Sequence, residues 1–274
     1  MESISHIRER YGESMDRRER VKLYDRMAEA YDRSRPSYPD DVIHEVLGDA
    51  AAGLSVLDVG SGTGIASRQM AKRGARVLGL DMSAGMSAVA KRHGIPTEVV
   101  PFETWDPAGQ KFDRVTCAQA WHWMDPFDSA AKAASVLRPG GRLCLFWSAG
   151  FHPDELADAL ADAYRRVLPP GSAKLTLGYA VSRSSDLPLD FSVVTGSPRA
   201  FRHMTEHPAQ SFAWSATYTR DQWLDELYTH TDHAALPPGV RQNLFEEIGR
   251  TIDRFGGAFR MTFFTYLFSA TAPR

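Results

Sequence analysis

Residues 56–64 read Val56-Leu57-Asp58-Val59-Gly60-Ser61-Gly62-Thr63-Gly64. An apolar run typical of a buried strand leads directly into three glycines at alternate positions. Glycine lets the backbone approach a ligand where a side chain would clash, and the first N–H groups of a following helix have no partner within that helix. The stretch therefore predicts a strand, a ligand-binding turn and the start of a helix.

The sequence on either side alternates between strand and helix patterns. It predicts strands at residues 55–59, 76–80, 97–100, 112–118 and 142–147, and helices at residues 63–72, 84–92 and 127–137. Strands separated by helices of about ten residues form βαβ units, in which helices cover both faces of a parallel sheet. The fold class is therefore α/β.

Two carboxylates accompany the glycines. Asp81 ends the second predicted strand, where a carboxylate can accept hydrogen bonds from a ribose diol. A nicotinamide or flavin site expects a third glycine where this chain has Ile65 in one register or Ser67 in the other, so that motif fails. Asp58 is out of place beside a pyrophosphate but suits the ammonium group of an amino acid, either by direct contact or by holding the loop.

Composition excludes several classes of protein. The chain has 32 basic and 34 acidic residues and a net charge of −2, so no overall basic field points to nucleic acid or to a membrane surface. The longest apolar run, residues 261–268, is far shorter than the ~20 residues that span a bilayer, and the charged N-terminus lacks the apolar core of a signal peptide. Only Cys117 and Cys144 occur, which predicts reduced thiols and a cytoplasmic location.

The chain resembles the class I S-adenosylmethionine-dependent methyltransferases. Val56–Gly64 is similar to their glycine-rich motif, and Leu78–Ser83 to their second-strand motif. Phe112–Val115 and Arg138–Gly141 resemble their fourth strand and the turn before the fifth. Residues 31–39, 119–125 and 218–274 are similar to a small-molecule subgroup that includes the trans-aconitate methyltransferases, with a methyltransferase type 11 domain.

The resemblance implies a Rossmann-like, seven-stranded, mostly parallel sheet with helices on both faces. Residues 1–39 would be an N-terminal arm, charged and solvated over residues 8–20, followed by a lid helix. Residues 40–150 would be the S-adenosylmethionine-binding domain, and residues 151–274 a substrate-covering segment with a C-terminal part that completes the sheet. We also expect a small-molecule substrate, S-adenosylhomocysteine as the product of the cofactor, and no binding of metal, nucleic acid or membrane. A homodimer is compatible with the resemblance.

The resemblance also implies a set of site residues. The catalytic candidates are His122, as a general base, and Tyr31. The cofactor-binding candidates are Asp58, Gly60, Ser61, Gly62, Gly64, Asp81, Met82, Phe102, Glu103 and Gln119. The substrate-binding candidates are Tyr24, Arg35, Trp121, Trp123 and Trp147. Phe102 stands near the position of the family's usual acidic contact to the adenine amine, so it is assigned to pack on the adenine ring instead.

Several of these site residues also have a purely structural interpretation. His122 can equally be a structural histidine, Trp123 and Tyr31 core residues, and Arg35 a solvated side chain or a partner of Asp32. The spacing His203-Met204-Thr205-Glu206-His207 matches a zinc pattern, but Pro208 opposes the helix that such a site needs. His230 and His233 are expected at the surface.

Three other functions stay open. An S-adenosylmethionine-binding enzyme of the same fold could catalyse a different step such as a cyclisation. A nicotinamide-dependent oxidoreductase is disfavoured by the glycine spacing, and a binding or regulatory protein without turnover is the third option.

Overall fold

The computed structural model describes residues 15–169, Thr195 and residues 199–274. The predicted irregular segment at residues 171–197 falls almost wholly outside these residues, as does the charged arm before residue 15. The strands are β1 (Ser55–Val59), β2 (Arg76–Asp81), β3 (Thr97–Val99), β4 (Phe112–Ala118), β5 (Leu137–Phe151), β6 (Thr205–Glu206), β7 (Gln210–Thr219) and β8 (Ala258–Thr271).

The helices alternate with the strands in the first half of the chain and predominate in the second. They are α1 (Arg17–Ser34), α2 (Asp40–Leu47), α3 (Ile65–Lys72), α4 (Ala84–Arg92), α5 (Pro126–Val136), α6 (Asp154–Val167), α7 (Arg220–Tyr228), α8 (Thr231–Ala235) and α9 (Pro238–Arg254), with a 3₁₀ turn at Trp121–Trp123. Among the described helices, none is both long and apolar enough to cross a membrane.

The strands form one mixed sheet in the order β3-β2-β1-β4-β5-β8-β6, with β7 paired to β8. The pairs among β1 to β5 are parallel, and β6 runs antiparallel to β8. This confirms the α/β, Rossmann-like class. The described residues form eight strands where seven were expected, and the two-residue β6 is the addition. The order reverses between β1 and β4, and ligands of open α/β sheets bind outside the carboxyl ends of the strands at such a switch point.

The described residues divide between two compact units. We call the described parts of Pro36–Ser148, Asp190–Phe212 and Thr265–Arg274 the sheet unit, and the described parts of Met1–Arg35, Ala149–Leu189 and Ala213–Phe264 the helical unit. The functions assigned to residues 1–39, 40–150 and 151–274 stay predictions.

Each unit has its own apolar core. In the sheet unit, β1 contributes fully buried side chains to both faces of the sheet, as expected of a central parallel strand. In the helical unit, α6, α7 and α9 present apolar residues at helical spacing to one another, with Leu160, Trp223 and Ile248 wholly buried.

The structure corrects some of the predicted ends of helices and strands and confirms one predicted helix cap. Helix α1 begins at Arg17, inside the predicted solvated arm, because the Asp16 side chain caps it by accepting from the Arg18 N–H. Strand β5 begins at Leu137 and runs through the predicted turn at residues 138–141. The capping box of Thr219 and Gln222 is confirmed at the start of α7.

Candidate functional site

The glycine loop follows β1 at the switch point of the sheet. Gly60, Gly62 and Gly64 have φ values of +66°, +56° and +83°, a region that L side chains rarely adopt. The N–H groups of Gly60 and Ser61 both donate to the Leu80 carbonyl, at 2.8 and 3.0 Å. The loop is thereby fixed to the end of β2 in a conformation that favours glycine.

Space around the loop distinguishes two of its glycines. A Cβ at Gly60 would lie 2.4 Å from the Cβ of Ala120, so the loop packs directly on the segment that follows β4. A Cβ at Gly62 would meet nothing within 4 Å. The backbone at Gly62 therefore borders open space that a side chain would fill.

Asp81 joins the end of β2 to this loop. Its Oδ2 accepts from the Gly62 N–H at 2.8 Å, and its Oδ1 accepts from the Ser83 N–H at 2.8 Å. Ser83 in turn caps α4 by accepting from the Met86 N–H. The structure thus brings Asp81, the half-buried Met82 and the glycine loop together at one edge of the sheet, as predicted for a cofactor site.

Asp58 lies in the interior of the sheet unit. Its carboxylate accepts from the Ser67 hydroxyl at 2.5 Å and from the Thr116 hydroxyl at 2.8 Å. Burial raises the pKa of Asp58 to about 6, against the lowering effect of these two hydrogen bonds. Of the two roles considered, the geometry favours holding the loop, because Asp58 ties β1 to α3 and β4. Ser67 occupies a position that a nicotinamide motif would give to glycine.

Phe102 is buried in the structure. It is 3% exposed and packs in the core of the sheet unit, with the Lys132 ammonium 5.4 Å from its ring centroid. Lys132 is itself fixed by donating to the carbonyls of Glu103 and Trp105, at 3.0 and 2.6 Å. These contacts give Phe102 a packing role, and its assignment to the adenine ring stays a prediction. Glu103 is half-buried, and its role stays a prediction.

The segment after β4 carries the predicted methyl-site residues. Gln119 has a φ of +64°, uncommon outside glycine, and three hydrogen bonds join this segment to β5. The Gln119 N–H donates to the Phe146 carbonyl at 3.0 Å, and the Gln119 amide donates to the Ser148 carbonyl at 3.1 Å. The third runs from the Trp147 indole N–H to His122 Nδ1, at 3.3 Å.

Trp121 is fully buried. Its side chain has no exposed surface, and it packs among the apolar side chains of the sheet-unit core. This gives Trp121 a packing role, and its assignment to the substrate stays a prediction. Trp123, by contrast, is half-buried, and its ring lies 4.2 Å from that of His122, centroid to centroid.

Three predicted residues belong to the helical unit. Tyr24 and Tyr31 pack edge to face on α1, with ring centroids 6.2 Å apart. The Arg35 guanidinium lies 4.9 Å from the Tyr31 ring centroid and donates through Nε to the Thr229 hydroxyl at 2.8 Å. Arg35 is thus anchored at the end of α7, and the roles assigned to all three residues stay predictions.

The expectation that His233 is a surface residue is wrong. It is 1% exposed, its Nε2 lies 2.7 Å from the Tyr164 hydroxyl, and its Nδ1 lies 2.8 Å from Asp232 Oδ1. Sequence reasoning missed this cluster because Tyr164 lies 69 residues before His233. Burial also lowers the pKa of the neighbouring His230.

The zinc-like spacing at residues 203–207 does not lie on a helix, since Thr205–Glu206 is strand β6. Within the described residues, no group of histidine, cysteine or acidic side chains is placed to hold a metal ion. Cys117 and Cys144 are both buried and free.

Comparisons with known proteins point to one family. Residues 56–141 match the model of a methyltransferase domain. The chain is 41% identical over 122 residues to an uncharacterized methyltransferase of Mycobacterium tuberculosis, which covers 43% of this chain and 49% of that protein. It is 36% identical over 133 residues to a ubiquinone biosynthesis O-methyltransferase of Hahella chejuensis, and this match covers 45% of this chain and 56% of that protein. The chain spans about half the length of the curated relatives it matches.

A solved structure extends the fold comparison. A candidate type II methyltransferase from Anaeromyxobacter dehalogenans matches with a TM-score of 0.60 and 23% identity, over 88% of this chain and 99% of that one. Together, these findings show that residues 56–141 are similar to a methyltransferase domain and that the chain shares the fold of a solved methyltransferase structure.

Proposed function

We propose that the whole chain is an S-adenosylmethionine-dependent methyltransferase that acts on a small molecule. The observation that carries the proposal is the hydrogen bond between the Gly62 N–H and Asp81 at the switch point of the sheet. It joins the glycine loop to a strand-end carboxylate, and this pairing suits a ligand that combines a ribose with an amino-acid group.

The residues present fit the proposed cofactor. Gly62 borders open space that a Cβ would fill, and Asp81 lies beside it for the ribose. Ser61 and Gly64 complete the loop, and Met82 follows Asp81 at the edge of the sheet. S-adenosylmethionine supplies a methyl group made electrophilic by its sulfonium charge. An aromatic face stabilises a nearby cation, a task for which Trp123 is suited.

The protein's main task in such a transfer is to hold the acceptor atom in line with the methyl group and to exclude water. The segment at residues 119–123 is suited to this because it packs against the glycine loop and is tied to β5 at three points. Rigid attachment on both sides keeps His122 and Trp123 at a fixed distance from the loop.

The acceptor we propose is a metabolite or natural product with an oxygen, nitrogen or carboxylate nucleophile. Support for oxygen comes from the similarity to ubiquinone biosynthesis O-methyltransferases. A net charge of −2 supports a small molecule over a nucleic acid. The assignments of Tyr31 to catalysis and of Tyr24 and Arg35 to substrate binding stay predictions.

The proposal is tested by measuring whether the chain transfers a methyl group to an acceptor. The full chain is incubated with S-adenosylmethionine carrying a labelled methyl group and a panel of phenols, carboxylic acids and amines. Mass spectrometry then measures S-adenosylhomocysteine and labelled product. We expect stoichiometric formation of both with at least one oxygen acceptor. Conversion of an acceptor without S-adenosylhomocysteine would instead favour a non-methylating reaction such as cyclisation, and binding without any turnover across the panel would favour a regulatory protein.

A further inference from the structure

We propose that Trp147 is a positioning residue that fixes the tautomer of His122, so that His122 serves the site as a hydrogen-bond donor and not as a general base. The inference deepens the proposed function and rests on it for the reaction. It replaces two sequence-based assignments, namely His122 as a base and Trp147 as a substrate contact.

The hydrogen bond between the two side chains determines where the proton lies. The Trp147 indole N–H is 3.3 Å from His122 Nδ1. An indole nitrogen only donates, so Nδ1 must offer its lone pair. A neutral imidazole carries one proton, which then resides on Nε2. Protonation of Nδ1 would set two N–H groups against each other, and this disfavours both the other tautomer and the imidazolium.

Trp147 is held firmly enough to impose this arrangement. It is 5% exposed, and the Phe268 ring packs against it edge to face with centroids 6.0 Å apart. Its neighbours in sequence, Phe146 and Ser148, both accept hydrogen bonds from Gln119. Three consecutive residues of β5 therefore hold the segment that carries His122.

The same segment reaches the cofactor loop. Ala120, two residues before His122, is the residue that a Cβ at Gly60 would strike at 2.4 Å. His122 is half-buried at the carboxyl edge of the sheet. A fixed imidazole in this position is suited to orient an acceptor molecule.

The tautomer limits what His122 can do in the transfer. A histidine general base needs a lone pair on the reacting nitrogen and an acceptor that orients the N–H of the other nitrogen. Here the second nitrogen faces a donor, so whatever Nε2 contacts in the loaded enzyme must accept a hydrogen bond. In the transfer, the acceptor's lone pair forms the new bond to the methyl carbon, and the electrons of the broken carbon–sulfur bond stay on sulfur. Any proton on the acceptor leaves to solvent and not to His122.

Nitrogen NMR tests the proposal on the ligand-free full chain. Histidine is labelled with ¹⁵N, His122 is assigned from the signal lost in His122→Gln, and a long-range ¹H–¹⁵N spectrum distinguishes the protonated ring nitrogen from the bare one. We expect Nε2–H to be the predominant form in the wild type. Predominant Nδ1–H, or comparable amounts of both tautomers, would overturn the proposal without any variant being needed.

A matched pair of variants isolates the role of Trp147. Trp147→Phe keeps a buried ring but removes the donor, and we expect the Nδ1–H population of His122 to rise. Trp105→Phe removes an indole N–H of the same unit that donates to Glu98 at 2.9 Å, and it should leave the His122 signals in place. An unchanged tautomer in Trp147→Phe would overturn the positioning role. Because these spectra need no cofactor, a failure to bind S-adenosylhomocysteine would refute the proposed function without affecting this result.

Discussion

Alanine at Gly60 and at Gly62 should damage different properties of the protein. Both glycines have positive φ, so each substitution costs about 1–2 kcal/mol of folding free energy through the backbone alone. At Gly60 the new methyl group would also lie 2.4 Å from Ala120. Overpacking of that kind adds about 1–3 kcal/mol, so we expect Gly60→Ala to lose roughly 2–5 kcal/mol in total.

Gly62→Ala has a different expected outcome because its Cβ meets nothing within 4 Å. It should lose only the backbone contribution to stability, but its methyl group would occupy the space proposed for the cofactor. If that overlap costs about 1–3 kcal/mol, the affinity for S-adenosylhomocysteine falls by roughly fivefold to more than a hundredfold. Gly53→Ala is the matched control, since Gly53 has a φ of +81°, nothing within 4 Å of its Cβ, and lies before β1.

Urea unfolding measures the stability of the three variants, and isothermal titration calorimetry measures their affinity for S-adenosylhomocysteine. If Gly60→Ala is as stable as Gly53→Ala, the loop does not pack on Ala120 as described. If Gly62→Ala binds S-adenosylhomocysteine as tightly as Gly53→Ala does, the open space beside Gly62 is not the cofactor site.

Four further predictions follow from individual side chains. Asp58→Asn should remove a pH-dependent loss of folding stability. The folded-state pKa of Asp58 is raised to about 6, so charging this carboxyl destabilises the wild type by up to roughly 3 kcal/mol as the pH rises from about 4 to about 6. Urea unfolding across this range should show the wild type losing stability relative to the variant, and an equal pH dependence of the two stabilities would contradict the prediction. Asp81→Asn should weaken binding of S-adenosylhomocysteine at least about tenfold in calorimetry, because one carboxylate acceptor of the Gly62 or Ser83 N–H becomes a donor; unchanged affinity would remove Asp81 from the site. Trp121→Ala should destabilise the chain by about 3–5 kcal/mol, as expected of a fully buried core residue; a loss below about 1 kcal/mol by urea unfolding would speak against the packing role. Tyr164→Phe should cost about 1–3 kcal/mol because it leaves buried His233 Nε2 without its hydroxyl partner; equal unfolding midpoints for variant and wild type would refute that contact.

The sequence predicts the first half of the sheet, from β1 to β4, well. Strands β1 and β4 and helix α4 have the expected bounds, because apolar runs, glycines and local caps are all encoded within a few residues of each element. The same locality explains the success with Thr219 and Gln222, whose capping box spans three residues.

The features that the sequence does not predict involve contacts between residues far apart in the chain. Phe102 and Trp121 carry aromatic side chains next to predicted motifs, and only tertiary packing shows that both are buried. The bond between Trp147 and His122 joins residues 25 apart, and that between Tyr164 and His233 joins residues 69 apart. One part of the site did have a signal in the sequence: Thr116 lies opposite Asp58 in the β1–β4 register, so a parallel alignment of the two strands places its hydroxyl within reach.

The most direct test of the account is a calorimetric titration of the full chain with S-adenosylhomocysteine and, separately, with NAD⁺. The glycine loop and Asp81 predict saturable binding of S-adenosylhomocysteine at one site per chain and no measurable binding of NAD⁺. Binding of NAD⁺ with no binding of S-adenosylhomocysteine would contradict the assignment of this site.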